Sequence, residues 1–585
     1  MNINEITKSS IHFITEPIKL DNGSVVKAEP GTRLVGAVRL KPDKCRDGVY
    51  VCDLKAAGIN PAEFVSRGFG RSIRASHSEL FINSRPMNVS QYPKAGSFLK
   101  ITGFGEPESN EWDSKVGKLT GGFFYEDDHP KSWRKGQQIW THGYWAWDWS
   151  PSRERVETLD TERGFVMNAE PYGQYSFIKG QRFYFFNIIE EVTEPGDYCI
   201  DFENSKLYFK PFEGIDMDSA EILLSMCDKP VFDLDGAKDI TIDGFIIEAF
   251  RGNAIKVDHS ENINIKNCEI RNVGNRGIVV DNSKNVLVAN CKIHDTGDGG
   301  IAFWCGSRET LEHADCAVED CEIYSVARWD RCYEPPVKLY GVGLSARRNY
   351  IHDCPHSAIL FGGNDITIAD NEVCRVVTET GDAGAIYGGR DYTMRGNVVE
   401  GNFIHHVGSG IGMGTMGIYN DDCLSGTTMR KNVFYKVQRA VFLGGGVDFV
   451  VDGNVFVDCT PSIEIDGRGQ SDHKVWRNMV INILYDRFYN ICDKGIKATE
   501  PPYITKYPEL AKLDKYYKEN REPMIPPSAK MTGNIFCSEQ KINYTWCTDG
   551  GDFVEEGSIY VDRDELKKYL TEHQYDVISS DWTQF

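Results

Sequence analysis

Residues 432–434 read NVF, and residues 454–456 read NVF again. Both belong to a phrase that returns along residues 238–480, in which an Asn or Asp stands shortly before a β-branched or aromatic apolar residue. The copies begin at Asn267, Asn290, Asp320, Asn349, Asn371, Asn402, Asn432, Asn454 and Asn478, at steps of 22 to 31 residues. A base step near 22 residues, with extra residues in some units, is the signature of a solenoid.

Short apolar strands lie between the copies of this phrase. Each opens on a small residue, as in GIVV at 277–280, AILF at 358–361 and GIY at 417–419. Three such strands and three turns fit into a unit of this length, whereas a strand–helix–strand crossover does not. We therefore predict an all-β fold, a right-handed parallel β-helix. The recurring Asn side chains are expected to stack inside it and to bond the backbone of the next coil.

The repeat is confined to part of the chain, which predicts a domain organisation. Residues 1–40 supply an N-terminal coil, 41–214 form an inserted β-sandwich-like domain, and 215–585 form the β-helix. An insertion at 481–530 is expected because the step from Asn478 to Asn534 is far longer than one unit. Residues 562–574 begin with acidic residues and have helical apolar spacing, which predicts a helix that caps the open end.

Composition excludes some partners. The formal charge of −21 argues against nucleic acid and anionic membranes, and no apolar run is long enough to span a bilayer. The odd count of 17 cysteines, without a C-x-x-C pair, predicts free thiols, with Cys268, Cys291 and Cys321 stacked in the core. Residues 1–18 lack the pattern of a secretory signal, which favours a cytoplasmic protein.

The coils between 356 and 466 are where a site is expected. They are Gly-rich where other coils are bulky, and they concentrate carboxylates. If Ile386 and Ile418 point inward, then Tyr387, Tyr419 and Asp421 point outward.

Two pairings of acids stay open on this face. Flat strands place Asp382 about 23 Å from Asp421 along the strand direction, so that pair requires the segment 381–384 to fold back over the face. Asp391 and Asp422 would stack closely without such a fold.

A tryptophan-rich segment lies in the inserted domain. GYWAWDWSP at 143–151 contains Trp145, Trp147 and Trp149. These side chains form either a packed aromatic core or a sugar-stacking wall over the cleft, and both interpretations stay open.

Long stretches of the chain resemble the β-helix proteins of glycoside hydrolase family 141, known for α-L-fucosidase and xylanase activity, and more distantly the β-xylosidases of family 120. The resemblance lies in ETGDAGAIYGGRDYTMRGN (379–397), in GIYNDDCLSGTTMRKNVFYKVQRAVFLGGG (417–446), in ELFINSRPMNVSQYP (79–93) and in the tail QYDVISSDWTQF (574–585). It implies two catalytic acids on the outward face. By motif they fall on Asp382 of GDAGAIY and on Asp421 or Asp422 of YNDDC.

The leading hypothesis is an exo-acting glycoside hydrolase for small xyloside- or fucoside-type substrates. One carboxylic acid protonates the leaving oxygen, and the other is the nucleophile or activates water. The candidate catalytic residues are Asp382, Asp421 and Asp422. The candidate substrate-binding residues are His356, Tyr387, Arg390, Asp391, Tyr419, Glu464 and Trp304. The expected partner is a carbohydrate, and no catalytic metal or cofactor is expected. A structural Ca²⁺ and a homo-oligomer are left open.

Two other functions fit the same fold. A polysaccharide lyase needs a Lys or Arg base, usually with Ca²⁺, and Lys338, Arg347 and Arg390 are available. A non-catalytic carbohydrate-binding solenoid is the third alternative, because fold alone does not imply catalysis.

Overall fold

The computed structural model describes residues 3–44, 47–520 and 525–572. The tail motif at 574–585 and the last two residues of the predicted capping helix lie outside these ranges. Within the described residues, three long parallel sheets of 13, 12 and 11 strands run side by side along the repeats. Strands of successive coils pair in parallel and in register, which is the arrangement of a parallel β-helix.

The strands of the three sheets follow one another in each coil. The 13-stranded sheet contains Ile11–Phe13, Arg33–Val35, Ile246–Glu248, Glu269–Arg271, Lys292–His294, Glu322–Tyr324, Tyr350–His352, Glu372–Cys374, Phe403–Val407, Val433–Val437, Val455–Val457, Ile535–Cys537 and Ile559–Tyr560. The 12-stranded sheet contains Val25–Lys27, Lys238–Asp243, Glu261–Lys266, Lys284–Ala289, Cys316–Glu319, Leu344–Arg347, Thr367–Ala369, Val398–Glu400, Thr428–Arg430, Phe449–Asp452, Ser528–Thr532 and Asp552–Glu556. The 11-stranded sheet contains Phe232–Asp235, Ile255–Asp258, Ile278–Asp281, Ile301–Cys305, Val337–Val342, Ile359–Asn364, Ala383–Gly389, Thr415–Asp421, Arg439–Gly444, Ile463–Asp466 and Ile542–Tyr544.

Rows of aliphatic side chains fill the interior of the coils. In the 11-stranded sheet one inward row occupies the same register position in successive strands and is fully buried. It consists of Ile255, Ile278, Ile301, Val337, Ile359, Ile386, Ile418, Val441 and Ile463. Burial of each such side chain contributes about 1.5–3 kcal/mol. This core explains why the repeats read as short apolar strands.

The recurring asparagines form an internal ladder. Each Asn Nδ2 donates to the Oδ1 of the Asn in the next coil over 2.9–3.2 Å, and each Oδ1 also accepts the preceding Asn backbone N–H. The ladder contains Asn349, Asn371, Asn402, Asn432, Asn454 and Asn534, all buried. The predicted stack of asparagines is therefore confirmed for the later coils.

The first three copies of the phrase were misaligned by one residue. Asn267, Asn290 and Asp320 are not ladder residues, because they adopt left-handed φ angles of 55°, 50° and 54° at the turn. Asn and Asp tolerate that conformation well. The next residue of each coil, a cysteine, takes the ladder position, and Cys321 N–H donates to Asn349 Oδ1 over 3.0 Å.

The three stacked cysteines have a measurable consequence. Cys268, Cys291 and Cys321 are each 2% exposed and free, whereas Cys492 and Cys547 are exposed. A thiol reagent applied to the native protein should label Cys492 and Cys547 at once and the stacked three only after unfolding. Mass spectrometry of the labelled peptides measures this. Early labelling at all three stacked positions would contradict their placement in the core.

The inserted domain is a mostly antiparallel β structure, in which only the pairing of Asn88–Val89 with Asp197–Asp201 is parallel among the described residues. A five-stranded sheet contains Asn88–Val89, Asp197–Asp201, Lys206–Phe209, Tyr50–Asp53 and Asp43–Lys44. A nine-stranded sheet contains Gln91–Tyr92, Arg182–Phe186, Trp140–Gly143, Ser152–Asp160, Phe165–Asn168, Phe123–Phe124, Gly103–Phe104, Leu99–Lys100 and Arg67–Gly68. Smaller sheets pair Pro107–Ser109 with Lys115–Gly117, and Ala37–Arg39 with Ile222–Ser225, Leu80–Ile82 and Arg85–Pro86. Pairing of Ala37–Arg39 with Ile222–Ser225 extends this domain four residues before the predicted 41–214 and 11 residues after it.

The second insertion is helical and begins earlier than predicted. Asn478 was counted as a copy of the phrase, but it lies in the helix Lys474–Met479. That helix continues through a π-helical turn at Val480–Leu484 into Tyr485–Tyr489, and Tyr503–Lys506 and Leu510–Asn520 follow. The side chains of Met479, Val480 and Leu484 are buried at helical spacing, so the three-residue phrase was a chance match within an amphipathic stretch.

The remaining helices are short. A helix at Ile3–Ile6 opens the described chain, and 3₁₀ turns occur at Leu119–Gly121, His129–Ser132, Ile189–Glu191 and Arg468–Gln470. The predicted C-terminal helix spans Arg563–Glu572. Its Leu566 packs with Val433 and Val455, whose side chains lie on the outer face of the 13-stranded sheet, so the helix covers the side of the last coils. None of the helices in the described ranges is long and apolar enough to cross a membrane.

Candidate active site

Two tyrosines, Tyr387 and Tyr419, project outward from the 11-stranded sheet at its Gly-rich coils. Ile386 pairs with Ile418 inside the coil, and Tyr387 pairs with Tyr419 on the outward face, as the sequence predicts. The two rings lie 5.3 Å apart at 84°. The two rings therefore meet edge to face.

Each tyrosine holds one aspartate. Tyr387 Oη donates to Asp421 Oδ2 over 3.1 Å, and Tyr419 Oη donates to Asp382 Oδ1 over 3.1 Å. Asp382 precedes one strand and Asp421 ends the next, so the two acids belong to opposite ends of the paired strands. The two tyrosines thus link both acids into one group. We refer to Asp382, Tyr387, Tyr419 and Asp421 as the cluster, and to the two tyrosines as crossed because each bonds the aspartate of the other's coil.

Glycines permit this crossing. A side chain at Gly384 would come within 2.6 Å of Tyr419 Cβ, and one at Gly389 would come within 2.9 Å of Tyr387 Oη. Asp382 itself has a left-handed φ of 52°, and its N–H donates to Gly414 O over 2.8 Å. The chain therefore bends at Asp382, where the sequence required the segment 381–384 to turn over the face.

An arginine that sequence analysis missed lies at the centre of the cluster. Arg468 Nη1 donates to Asp421 Oδ1 over 2.6 Å and to Asp422 Oδ1 over 3.2 Å, and Nη2 donates to Asp466 over 2.7 Å. The Gly-rich, acid-rich stretch in which the site is expected ends at residue 466, two residues before Arg468. The sequence did contain a signal for this arginine. Parallel coils stack at about 4.8 Å, so a long cationic side chain two coils beyond a group of acids can reach them.

Burial changes the acidity of the two tyrosine-held aspartates. Burial raises the pKa of Asp382 above its ordinary value, against the opposing charge of Arg468. Burial and the neighbouring Asp422 carboxylate raise the pKa of Asp421 to about 7. A carboxyl that keeps its proton near neutral pH can act as a general acid.

Asp422 differs from its neighbour. Its side chain is 8% exposed, and its two oxygens accept hydrogen bonds from Arg390 and Arg468. The Asp421 side chain is 14% exposed. The resemblance did not decide between Asp421 and Asp422 as the second catalytic acid. Asp421 is the more exposed of the two, whereas Asp422 bridges Arg390 and Arg468.

An aromatic wall, formed by three residues of the inserted domain and by Tyr333 of the β-helix, lies beside this cluster. Tyr333 contacts Tyr387 at 5.9 Å and also packs on Phe69 at 5.3 Å and on Trp149 at 6.2 Å. Tyr175 completes the wall against Trp149 at 5.4 Å. All four residues of the wall, Phe69, Trp149, Tyr175 and Tyr333, are half-buried.

Two tryptophans of the segment 143–151 lie in different environments. Trp145 is 2% exposed and belongs to the core of the inserted domain. Trp149 is part of the wall beside the carboxylates. Neighbouring Asp148 accepts the Gly381 N–H through its backbone oxygen over 3.3 Å, which holds this loop next to Asp382.

Some predicted binding residues are near the cluster but committed to other contacts. His356 is buried, its Nδ1 lies 2.8 Å from Thr380 Oγ1, and its ring packs on Tyr333. Burial and the charge of Lys338 lower the pKa of His356 to about 3, so it is neutral. Glu464 lies two coils beyond Tyr419 in the same outward row and meets Arg439 at 3.4 Å.

Two other predicted residues are not brought to the cluster. Asp391 is 3% exposed and accepts hydrogen bonds from Arg308 and Thr393, so the stacked pair with Asp422 is not formed. Trp304 lies three coils from Gly389 in its outward row, with the Arg276 guanidinium 4.9 Å from its ring.

The cations available for lyase chemistry are also engaged or distant. Lys338 forms an ion pair with Glu334 at 3.0 Å, and Arg390 pairs with Asp422. Arg347 ends a strand of the 12-stranded sheet, away from this face.

Two groups of described residues have donor atoms close enough to share a metal ion. Glu372, Cys374 and His405 form one, and Asp235, Asp258 and His259 form the other. The first lies on the 13-stranded sheet, and the second on the first coils of the 11-stranded sheet. Neither includes an acid of the cluster, and neither is the oxygen-only set that Ca²⁺ prefers.

Comparison with known proteins places the fold. A family model described as a right-handed β-helix region matches residues 197–338. No curated protein matches the chain. A solved structure described as a glycoside hydrolase is 12% identical, with a TM-score of 0.52, over 94% of this chain and 88% of that one. The structure of XylC in complex with xylose is 11% identical, with a TM-score of 0.50, over 94% of this chain and 80% of that one. At these identities the likeness is one of fold, and that fold is the right-handed parallel β-helix.

Proposed function

We propose that the protein is a glycoside hydrolase that uses Asp421 and Asp382 as its two carboxyl groups. The observation that supports this most is the pair itself. Two outward aspartates with raised pKa values are each held by a tyrosine from the other's coil, on a surface that glycines keep clear. Two positioned carboxyl groups are the minimal machinery for hydrolysis of a glycosidic bond.

Asp421 is the proposed general acid. Its Oδ1 accepts hydrogen bonds from Arg468 and from the Asp422 N–H, which leaves Oδ2 beside the Tyr387 hydroxyl to carry the proton. That proton passes to the glycosidic oxygen as the bond to the anomeric carbon breaks. The Arg468 guanidinium then stabilises the carboxylate that remains.

Asp382 is the proposed partner of the acid. In its ionised form it attacks the anomeric carbon or takes a proton from the attacking water. Tyr419 holds one of its oxygens, so the other is available to the sugar or to water. If Asp382 attacks, water then breaks its bond to the anomeric carbon and gives one proton to Asp421. If Asp382 instead deprotonates the attacking water, it passes that proton to solvent and Asp421 takes another from solvent.

The substrate class follows from the surroundings of the pair. The aromatic wall of Phe69, Trp149, Tyr175 and Tyr333 offers apolar faces on which a sugar ring can stack. We propose a neutral xyloside- or fucoside-type glycoside, cleaved from one end. The similarity to XylC, whose structure holds xylose, supports the xyloside choice, and the net charge of −21 disfavours polyanions.

A panel of nitrophenyl glycosides tests the proposed function. The purified protein should release nitrophenol from a xyloside or fucoside, and the double variant Asp382→Asn/Asp421→Asn should not. A uronate polymer assayed in parallel should give no ultraviolet-absorbing unsaturated product. Turnover of that polymer, or no turnover on the whole panel, would refute glycoside hydrolysis.

The pH dependence of activity tests the role of Asp421. Since the proton on Asp421 is the one donated, kcat/KM should fall as pH rises through about 7, where this group loses its proton. The rate should be followed between pH 5 and 9 on the best panel substrate. In the Asp421→Asn variant the residual rate on an activated aryl glycoside should not show this decline. An identical decline in that variant would assign the titration to another group.

A further inference from the structure

We propose that Trp112, Trp476 and Trp546 form a second sugar subsite, which binds the leaving-group side of the substrate. This inference rests on the proposed function and extends it from a monosaccharide glycoside to a substrate of at least two sugar units. The three residues come from the inserted domain, the helical insertion and the last coils. We refer to them as the tryptophan cluster.

The rings of the tryptophan cluster meet at a surface. Trp476 contacts Trp112 at 5.6 Å and Trp546 at 6.1 Å. Trp546 is 43% exposed, and the other two are partly exposed. Trp476 meets Trp112 edge to face at 70° and Trp546 at a tilt of 35°, so part of the indole surface stays open to solvent. Exposed indole surface suits the apolar CH side of a sugar ring.

Contacts with the helical insertion hold Trp112 of the inserted domain in place. His473 stacks on its ring at 4.7 Å and 18°, and Lys474 pairs with the neighbouring Asp113 over 2.6 Å. The inserted domain therefore joins the helical insertion at this point. A cluster held by two separate parts of the fold keeps its shape without a ligand, which lowers the cost of binding one.

One side chain separates this cluster from the proposed acid. The Arg468 guanidinium lies 4.9 Å from the Trp476 ring and 5.4 Å from the Phe442 ring, and its Nη1 donates to Asp421 over 2.6 Å. Phe442 is the residue that follows Tyr419 in the outward row of the next coil. The tryptophan cluster therefore lies toward the later coils.

The aromatic wall lies on the other side of the carboxyl groups. Tyr333 contacts Tyr387, on the coil before Tyr419. A glycoside whose scissile bond lies between Asp382 and Asp421 then has one aromatic surface for each of its two parts. We assign the wall to the sugar whose anomeric carbon is attacked and the tryptophan cluster to the sugar or chain that leaves.

The matched control is a tyrosine on the same segment. Tyr544 is 44% exposed, as much as Trp546, but its ring packs on Phe553 and not on Trp476. Trp546→Ala and Tyr544→Ala therefore remove equally exposed aromatic side chains two residues apart. Circular dichroism of both variants should match that of the parent.

The test uses the sugar on which the parent is most active. It compares the disaccharide of that sugar, which fills both subsites, with the methyl glycoside of the same sugar, which fills only one. Trp546→Ala should lower the ratio of kcat/KM for the disaccharide to kcat/KM for the methyl glycoside by about 10-fold, the size of one aromatic stacking contact. Tyr544→Ala should leave this ratio unchanged. An unchanged ratio in Trp546→Ala, or an equal fall in both variants, would overturn the subsite.

A binding measurement separates failure of the subsite from failure of the proposed function. Tryptophan fluorescence of the Asp421→Asn variant should change on titration with the disaccharide. Adding Trp546→Ala should weaken this binding and remove the part of the change that Trp149 of the wall does not contribute. If the parent hydrolyses no glycoside, the proposed function fails, and the same titration with the disaccharides of xylose and fucose still tests the subsite. The absence of any change that depends on Trp546 would then reject it.

Discussion

Asp382→Asn and Asp421→Asn should each lower kcat by at least about 10²-fold, the low end for loss of acid–base catalysis. Asparagine keeps the size of the side chain but neither donates the acid proton nor attacks as an anion. It also tolerates the left-handed φ of 52° at residue 382, so the fold should persist. Steady-state rates on the best nitrophenyl glycoside, with circular dichroism of each variant, measure this.

The matched control for these substitutions is Asp281→Asn. Asp281 ends an earlier strand of the same sheet and points outward in the row that includes Trp304, away from the crossed tyrosines. Its replacement should leave kcat within about 2-fold, as for a surface substitution away from the site. If both Asp382→Asn and Asp421→Asn keep the kcat of the parent, the reaction does not take place on this face of the β-helix.

Arg468→Met should give the second large effect, a loss of stability of about 3–5 kcal/mol at pH 7.5. Arg468 is the shared hydrogen-bond donor to Asp421, Asp422 and Asp466, so methionine leaves three buried carboxyl groups without it. The folded-state pKa of Asp421 then rises further, and the folded protein binds more protons than the unfolded chain. Stability must therefore fall as pH rises, and the deficit should shrink at pH 5. Urea unfolding at the two pH values measures it.

An exposed ion pair provides the comparison for Arg468. Arg348 bonds Asp320 and Glu319 on the surface of the coils, with 48% of its side chain exposed. Arg348→Met should cost no more than about 1 kcal/mol, because solvent screens such pairs. Equal and small losses in both variants would mean that Arg468 is not needed to balance the buried acids.

The repeat was predictable because its physical cause is local. An Asn whose amide bonds the next coil recurs from coil to coil after Asn349, and the inward aliphatic row recurs with it. Asn402, Asn432 and Asn454 therefore mark the fold from the sequence alone. Asn478 shows the limit of this reasoning, because the apolar residues that follow it, Met479 and Val480, also fit the buried side of a helix.

The candidate site was predictable in part. Outward tyrosines and cleared glycines follow from the alternation of side chains along a strand, so Tyr387 and Tyr419 were found. Arg468 was not, because its contacts with Asp421 and Asp422 depend on how far a long side chain reaches across coils separated by more than 40 residues. Asp391 was favoured by the spacing of flat strands, but Arg308 holds it elsewhere.

A crystal structure of the Asp421→Asn variant with the disaccharide that the parent hydrolyses tests the central claim most directly. The proposal predicts the glycosidic oxygen within about 3 Å of the residue 421 side chain, and the anomeric carbon facing Asp382. One sugar should stack on the wall of Phe69, Trp149, Tyr175 and Tyr333. Density for the sugar anywhere else on the molecule, with the space between Asp382 and residue 421 left to water, would contradict the assignment of this face as the active site.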